Sequence, residues 1–380
     1  MPQVRQVLGL DVLRTLAAMM VMAHHLGFWL FTGAMTYHDD GFSVNYRWTV
    51  PFSWFGFIGV EIFFVLSGFV IVYSAQSASA VSFLRGRVVR LYPAAWICAT
   101  ATVVLLLATG HHNGLSTRLL HSILLSPHPA WVDGSYWTLP IEIAFYTLVF
   151  LLLSLHRLRW LERILALVGS VSALLNLCQF ALEAFGHIKP ALQMQRVLDS
   201  WQAQPLLLRN GVFFAIGCYL WLCLYREFTV RRAAWLILFV AGALAEIGLH
   251  TRLIAAASGH RPTAWVPILV WLLSIMVILL SVRYDDAIHR VLGHRGAMIT
   301  RRTAFMSYPL YLVHQQAGYA LIAVLRRSMP DTLALLLTTL LILAFSLIVI
   351  LWLEKPLQKA LRTLLKGSNQ DKRAPAAALP

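Results

Sequence analysis

Arg14 and His25 lie eleven residues apart in the first apolar segment of the chain, between about Val7 and Phe31. This stretch is long enough to cross a bilayer, which takes about 20 apolar residues. Eleven residues at roughly 100° each place both side chains on one helix face, about 16 Å apart along the axis at about 1.5 Å per residue. Ionisable groups inside a membrane favour a functional role, whereas a snorkelling arginine and a packed histidine are the ordinary alternatives. The neighbouring His24 is predicted to point to a different face.

Two carboxylates also fall inside apolar segments. Glu61 belongs to the segment Gly59–Phe69, where a Ser-Gly pair favours close helix packing. Glu142 follows Trp137 in a later segment and lies about a turn and a half inside the membrane. A carboxylate at such a depth needs a partner, and the ordinary role for Glu142 is to cap a helix or pair with an arginine.

Two further clusters are suited to binding a substrate. Arg87 and Arg90 are three residues apart and share a predicted helix face. Their guanidinium groups suit phosphate oxygens, although the inner loops of any membrane protein collect arginine. Ser307, Tyr311 and His314 recur at i, i+4 and i+7, so they fall near one face of a later segment.

The elements that must position these residues are membrane helices. Hydrophobic residues make up 59% of the 380-residue chain and charged residues 12%, which excludes an ordinary soluble domain. About ten apolar stretches have spanning length, and they cover approximately 8–31, 54–74, 91–109, 137–155, 164–184, 206–224, 233–251, 264–282, 304–325 and 332–353. The sequence therefore predicts an all-α integral membrane protein, with one membrane domain over 1–366 and a disordered tail over 367–380. No cleavable signal peptide is expected, because the first apolar segment is too long and carries charges.

The net charge of +15 is explained by membrane topology without a nucleic-acid partner. With the amino terminus in the cytoplasm, most of the 31 Lys and Arg residues fall in the inner loops and the carboxy-terminal tail. This bias sets the orientation and predicts that both termini are cytoplasmic. The basic residues between Lys355 and Lys366 are then placed to contact anionic headgroups of the lipid bilayer.

The sequence predicts no metal centre. The four cysteines fall inside predicted helices, and their spacing suits neither a disulfide framework nor a metal site. His111, His112, His121 and His128 concentrate in one predicted outer loop, but their spacing fits no tight zinc pattern.

Six short motifs, taken in order, resemble the acyltransferase-3 family of integral-membrane O-acyltransferases. They are Leu13 through His25, Gly59 through Phe69, Arg87 through Pro93, Trp137 through Tyr146, Ser307 through His314 and Glu354 through Pro356, and they extend over about residues 7–360. Thr138 stands where serine is commoner in the family. The resemblance implies transfer of an acyl group, commonly acetyl from acetyl-CoA, to a hydroxyl of a cell-surface glycan or another sugar-containing acceptor. Some members carry an additional extracytoplasmic SGNH-type hydrolase domain, and none is expected here.

Carried over residue by residue, the resemblance implies a division of roles. His25 would take the proton of the acceptor hydroxyl, and Glu142 would orient His25 and stabilise its protonated form. A covalent acyl-His25 intermediate is the less favoured variant. Arg87 and Arg90 would hold the phosphates of CoA, and Arg14 would extend that anion site. The other matched residues would line the acyl or acceptor pocket, and they are Glu61, Trp137, Ser307, Tyr308, Tyr311 and His314.

The sequence thus predicts a multi-pass enzyme of the bacterial cytoplasmic (inner) membrane, which acylates an exopolysaccharide or its lipid-linked repeat unit. Two other classes stay open from the residues alone. A proton-coupled secondary transporter of a sugar or related metabolite would use His25, Glu61, Glu142 and His314 as a relay, although no internal repeat is detectable. A scaffold that binds lipid headgroups would use the basic inner face.

Overall fold

The chain folds into a bundle of α-helices. The computed structural model describes residues 7–33, 44–260 and 262–365. The α-helices of ten residues or more are α1 Leu8–Ala23, α2 Ile58–Ala75, α3 Ala80–Ala108, α4 Leu115–Leu124, α5 Thr138–Ser154, α6 Leu161–Ala184, α7 Ile188–Leu198, α8 Gly211–Tyr225, α9 Val230–Ser258, α10 Trp265–Arg283, α11 Asp285–Val313, α12 Gln316–Leu325, α13 Asp331–Ile348 and α14 Glu354–Leu365. Helix α11 has a kink at Gly293, whose backbone is not helical. No strand occurs in the described residues, and the predicted all-α fold is confirmed.

Nine helical stretches of the described chain are long and apolar enough to cross a membrane. They correspond to nine of the predicted segments. The exception is 304–325, because α11 ends at Val313 and α12 begins at Gln316. The backbone N–H of Gln316 donates to the Asp133 carboxylate, which supports the break between the two helices. His314 lies in that break.

Three predicted loops contain helices. The loop predicted at 110–136 holds α4, the loop at 185–205 holds α7, and α11 begins inside 283–303. Polar and charged faces keep such segments out of hydrocarbon but do not prevent them from being helical. Similarly, α3 begins before its three arginines, so Arg87 and Arg90 lie within that helix. The tail predicted at 367–380 lies outside the described residues.

Backbones approach closely where α2 packs against α8. A Cβ added at Gly68 would lie 2.2 Å from the carbonyl oxygen of Phe214, and one added at Gly217 would lie 2.0 Å from that of Val65. Small residues permit this contact, as the Ser-Gly pair in α2 predicts. Helix α1 packs against α2, α10 and α11, so the side chains of its motif lie among other helices.

After Ala23, α1 widens into a π-helical turn over His24–Trp29. Such turns are rare in proteins overall, and those that occur are often found at functional sites. Three successive carbonyls of this turn accept hydrogen bonds from hydroxyl groups: His25 from Tyr319 at 3.3 Å, Leu26 from Tyr46 at 3.1 Å and Gly27 from Thr49 at 3.0 Å. These bonds satisfy backbone groups of the turn and hold the backbone of His25 in place.

Candidate active site

His25 and His314 form a hydrogen-bonded pair of imidazoles. Nδ1 of His25 lies 2.7 Å from Nε2 of His314, and the ring centroids are 4.9 Å apart. His314 is buried, whereas His25 is only half-buried. The adjacent His24 is buried and its Nδ1 lies 2.9 Å from the carbonyl oxygen of Ser53. Of the two neighbouring histidines, His25 is therefore the more exposed one.

The backbone of α11 sets the protonation of this pair. Nδ1 of His314 lies 2.9 Å from the carbonyl oxygen of Tyr311. A carbonyl only accepts hydrogen bonds, so Nδ1 of a neutral His314 carries the proton and its Nε2 offers a lone pair. Nδ1 of His25 must then donate to that lone pair. The remaining lone pair of His25 is at Nε2, which makes Nε2 the basic atom of the site.

Asp133 holds the break in which His314 lies. Its buried carboxylate accepts from the backbone N–H of Gln316 at 2.8 Å, and from the backbone N–H and hydroxyl of Ser135 at 2.9 and 2.6 Å. Burial raises the pKa of Asp133, whereas these hydrogen-bond donors act to lower it. Sequence analysis missed Asp133, although an Asp just before an apolar segment is a typical helix-capping signal.

A narrow cavity of about 80 Å³ lies between α1, α2, α3, α5 and α11. Seven of the predicted site residues line it, namely Arg14, Arg87, Arg90, Glu142, Ser307, Tyr308 and Tyr311. Its other walls are mainly apolar. Tyr311 connects this cavity with the histidine pair, because its ring centroid is 5.8 Å from that of His314 and its carbonyl is the acceptor for that ring.

A wider cavity of about 630 Å³ adjoins the narrow one. Arg14, Arg90, Ser307 and Tyr308 line both. The wide cavity is also lined by three further cations, which are Arg302, Lys355 and Arg362. Two carboxylates line it as well, namely Asp11 and Glu354. Cations outnumber carboxylates in its wall, so it is suited to an anionic ligand.

Arg87 has unused hydrogen-bonding capacity. Among the described residues, nothing accepts from its buried Nε and Nη1 atoms. Its Nη2 lies 3.4 Å from the hydroxyl of Ser74, and its guanidinium carbon lies 5.3 Å and 5.5 Å from the ring centroids of Phe83 and Tyr146. Buried guanidinium nitrogens without acceptors are suited to binding an anion.

Glu142 belongs to the arginine-lined cavity and not to the histidine pair. Its carboxylate accepts from the hydroxyls of Ser67, at 3.0 Å, and Tyr146. These hydrogen bonds do not support the hypothesis that Glu142 orients His25, because Nδ1 of His25 is occupied by His314. Glu142 instead lines the same cavity as Arg14, Arg87 and Arg90.

Glu61 and Trp137 line a separate cavity of about 240 Å³. Its wall also contains Arg209, Glu246 and His250. Sequence analysis missed Glu246 and His250, although two ionisable residues four apart inside an apolar segment are a recognisable signal. The predicted site residues therefore fall into three groups: the basic cavities, the histidine pair and this separate cavity.

Two curated proteins show similarity to parts of the chain. Nodulation protein 10 from Rhizobium leguminosarum bv. viciae is 31% identical over 188 residues, which cover 43% of this chain and 48% of that protein. An O-acetyl transferase from Shigella phage Sf6 is 30% identical over 154 residues, which cover 36% of this chain and 43% of that protein. The chain thus spans less than half the length of either relative. No solved structure gave a match.

A family model described as an acyltransferase domain matches residues 7–355. The match includes all the helices that line the basic cavities and carry the histidine pair, up to the start of α14. It also includes the apolar helices of spanning length. The chain therefore belongs to the acyltransferase-3 family of membrane acyltransferases.

Proposed function

We propose that this protein is a membrane O-acyltransferase that moves an acetyl group from cytoplasmic acetyl-CoA to a hydroxyl of a sugar acceptor. One observation carries the proposal: a wide basic cavity adjoins a narrow one, and Tyr311, which lines the narrow cavity, lies beside His314 of the His25–His314 pair. The similarity to a protein named O-acetyl transferase supports acetyl as the transferred group.

The donor binds along the two adjoining cavities. The phosphates of CoA lie in the wide cavity, where cations dominate the wall. The pantetheine arm enters the narrow cavity past Arg14 and Arg90, and Arg87 supplies free donors for an anionic or carbonyl oxygen. The thioester is then presented towards Tyr311 and the histidine pair.

His25 acts as the general base. Its Nε2 takes the proton of the acceptor hydroxyl while the hydroxyl oxygen attacks the thioester carbonyl carbon. The C–S bond breaks, and the thiolate receives the proton from His25 to leave as free CoA. His314 holds the ring of His25 and stabilises its transient positive charge through the hydrogen bond at Nδ1.

The acceptor reaches the site from the end of the bundle opposite to Leu8. We propose an exopolysaccharide or its lipid-linked repeat unit, since the cavity of Glu61 and Trp137 offers a carboxylate for hydroxyl groups and an aromatic ring for a sugar face. The excess of basic residues at the Leu8 end supports a cytoplasmic orientation of that end, and we propose that the chain lies in the bacterial cytoplasmic membrane.

The test is acetyl transfer by purified full-length protein in lipid nanodiscs, with radiolabelled acetyl-CoA and a panel of lipid-linked oligosaccharides and polysaccharides. His25→Gln should lower the rate at least about 100-fold, since general-base catalysis contributes on that order. The matched variant His24→Gln should do much less, because His24 only bonds a backbone carbonyl. Equal mild losses would contradict the role of His25. Proton-coupled sugar flux into liposomes without acetylation would show a transporter instead.

A further inference from the structure

Glu61 of α2 and the pair Glu246 and His250 of α9 bring three metal-ligating atoms together. One ligand atom from each residue lies within 4.8 Å of the others. Nδ1 of His250 is 3.5 Å from Oε1 of Glu61 and 3.8 Å from Oε1 of Glu246. Charge-assisted hydrogen bonds are shorter, at about 2.7–2.9 Å. Two ligands that are each about 2.0–2.2 Å from one ion lie about 3–4 Å apart, and His250 lies at such a distance from each carboxylate.

A second observation is that both carboxylates are buried with an unused oxygen. Glu61 is 3% exposed and Glu246 is 2% exposed. Within the described part of the chain, Oε2 of each lacks a hydrogen-bond partner. Two buried carboxylates repel each other unless a proton or a cation compensates them, and a bound metal ion would supply that charge. The nearby Arg209 is already bonded, to Asp199 at 2.9 Å and to Gln179 at 3.0 Å.

The imidazole of this cluster is held in a fixed orientation. The ring of His250 lies against that of Phe57, with the centroids 4.3 Å apart and the planes 29° from parallel. Glu246 and His250 are four residues apart on α9, so they share a helix face. All three ligand residues border the cavity of about 240 Å³ that also contains Trp137. A site with three protein ligands keeps open positions for further ligands.

We propose that Glu61, Glu246 and His250 bind a divalent cation of the first transition series, Zn²⁺ or Mn²⁺. An imidazole among the ligands favours these ions over Mg²⁺ and Ca²⁺, which prefer oxygen ligands alone. The open coordination positions bind hydroxyl groups of the sugar acceptor in the adjoining cavity. This last role rests on the proposed function, whereas binding of the ion does not.

The test measures metal binding without using activity. Tag-free full-length protein in detergent is stripped with EDTA and equilibrated with Zn²⁺, Mn²⁺ or Mg²⁺, and bound metal and the thermal midpoint are measured. We expect about one Zn²⁺ or Mn²⁺ per chain with a raised midpoint, and no stoichiometric Mg²⁺. Glu246→Gln and His250→Gln preserve side-chain size and should weaken binding at least about tenfold, since even outer-shell partners of a metal contribute that much.

Two control variants separate this site from other features at the same end of the bundle. Glu183→Gln removes a carboxylate whose partner is Arg252, at 3.0 Å, and His121→Gln removes a histidine of the predicted outer loop. Neither should change the metal content. Normal binding in the Glu246 and His250 variants, or loss of binding in the His121 variant, would overturn the proposal.

X-ray absorption at the zinc edge of the wild-type protein is an independent measurement that needs no variant. It should show one imidazole nitrogen and carboxylate oxygens at about 2.0–2.2 Å. Two or more imidazoles would place the ion elsewhere.

The outcomes also distinguish this proposal from the proposed function. Metal-loaded protein without acetyl transfer would contradict the proposed function alone. Full activity in stripped protein would contradict only the role of the ion in acceptor binding.

Discussion

Nδ1 of His25 is 2.7 Å from Nε2 of His314, although the two residues lie near opposite ends of the chain. In hydrolase triads a carboxylate orients the histidine base. Here a second, neutral imidazole takes that position, and the carbonyl of Tyr311 fixes the tautomer of that imidazole in turn. The basicity of His25 therefore depends on a backbone carbonyl two hydrogen bonds away.

Replacing His314 tests this dependence. His314→Leu removes the acceptor for His25 and should lower kcat at least about tenfold, since an orienting partner in a triad contributes more than that. His314→Gln retains an acceptor oxygen and should lose less. The KM for acetyl-CoA should stay near the wild-type value, because His314 does not line the donor cavities. Steady-state kinetics would contradict the role of His314 in orienting His25 if both variants matched the wild type or if only the KM for acetyl-CoA changed.

Arg87 should contribute mainly to donor binding. Arg87→Ala removes buried donors that lack acceptors, so the Kd for acetyl-CoA should rise at least about tenfold, corresponding to about 1.4 kcal/mol. Arg87→Lys should recover part of that loss, because the charge remains but the planar fork does not. The control is Arg85→Ala on the same helix, since Arg85 lines neither cavity. Calorimetry that gave equal affinities for the Arg85 and Arg87 variants would exclude a role of Arg87 in donor binding.

Glu142 is expected to act on the donor cavity. Glu142→Gln removes the carboxylate from the arginine-lined cavity and weakens the hydrogen bonds from Ser67 and Tyr146. The Kd for acetyl-CoA and kcat should therefore both change. The pH dependence of kcat should keep its shape, because the hydrogen bond of His25 goes to His314. Tyr146→Phe, which removes one of the same hydrogen bonds, should have a smaller effect of the same kind. A shifted pH profile would show that Glu142 acts on His25 after all.

Gly217 tests the contact between α2 and α8. A methyl group at this position would lie 2.0 Å from the carbonyl oxygen of Val65, so Gly217→Ala should destabilise the fold by more than about 2 kcal/mol. The matched variant is Gly86→Ala, where a Cβ meets nothing within 4 Å and alanine is the better helix former. Thermal midpoints in detergent provide the comparison. Similar midpoints for the two variants would mean that α2 and α8 can separate without loss of stability.

The orientation of the helix bundle in the membrane can be measured with a cysteine introduced at position 86, in the wall of the wide cavity. The accessible Cys178 and Cys223 are first replaced by serine, while Cys98 and Cys218 are buried. In intact spheroplasts, an impermeant maleimide should label the new cysteine only after permeabilisation. In sealed vesicles of the same orientation, acetyl-CoA should support the reaction only from the inside. Labelling of intact spheroplasts would reverse the orientation.

The local features of the site could be predicted from sequence because they depend on helix periodicity alone. Arg87 and Arg90 are three residues apart on a helix and both line the narrow cavity. Arg14 shares that cavity with Tyr308 of α11, and His25 contacts His314 of the turn that follows, so both side chains of the first motif are directed towards the same part of the bundle.

The partners across helices could not be predicted in the same way. The contact of His25 with His314 depends on the π-helical turn in α1 and on the break between α11 and α12, and neither follows from a hydrophobic pattern. Glu142 has a depth comparable to that of His25, which suggested a pairing that the helix packing does not produce. Glu61 and His250 are on separate helices, so no local ligand spacing could indicate a shared ion.

The narrow cavity has room for about six water molecules, since one water needs roughly 10–15 Å³ of such space. Under the proposed function, an acetyl group and the end of the pantetheine arm can enter, while the charged nucleotide stays in the wide cavity. The group that passes across the bilayer is therefore electrically neutral. The membrane potential, which acts on each elementary charge with about 2.3 kcal/mol per 100 mV, then neither drives nor opposes the transfer. A cell could thus acetylate its outer surface at a rate that is independent of how strongly its membrane is energised.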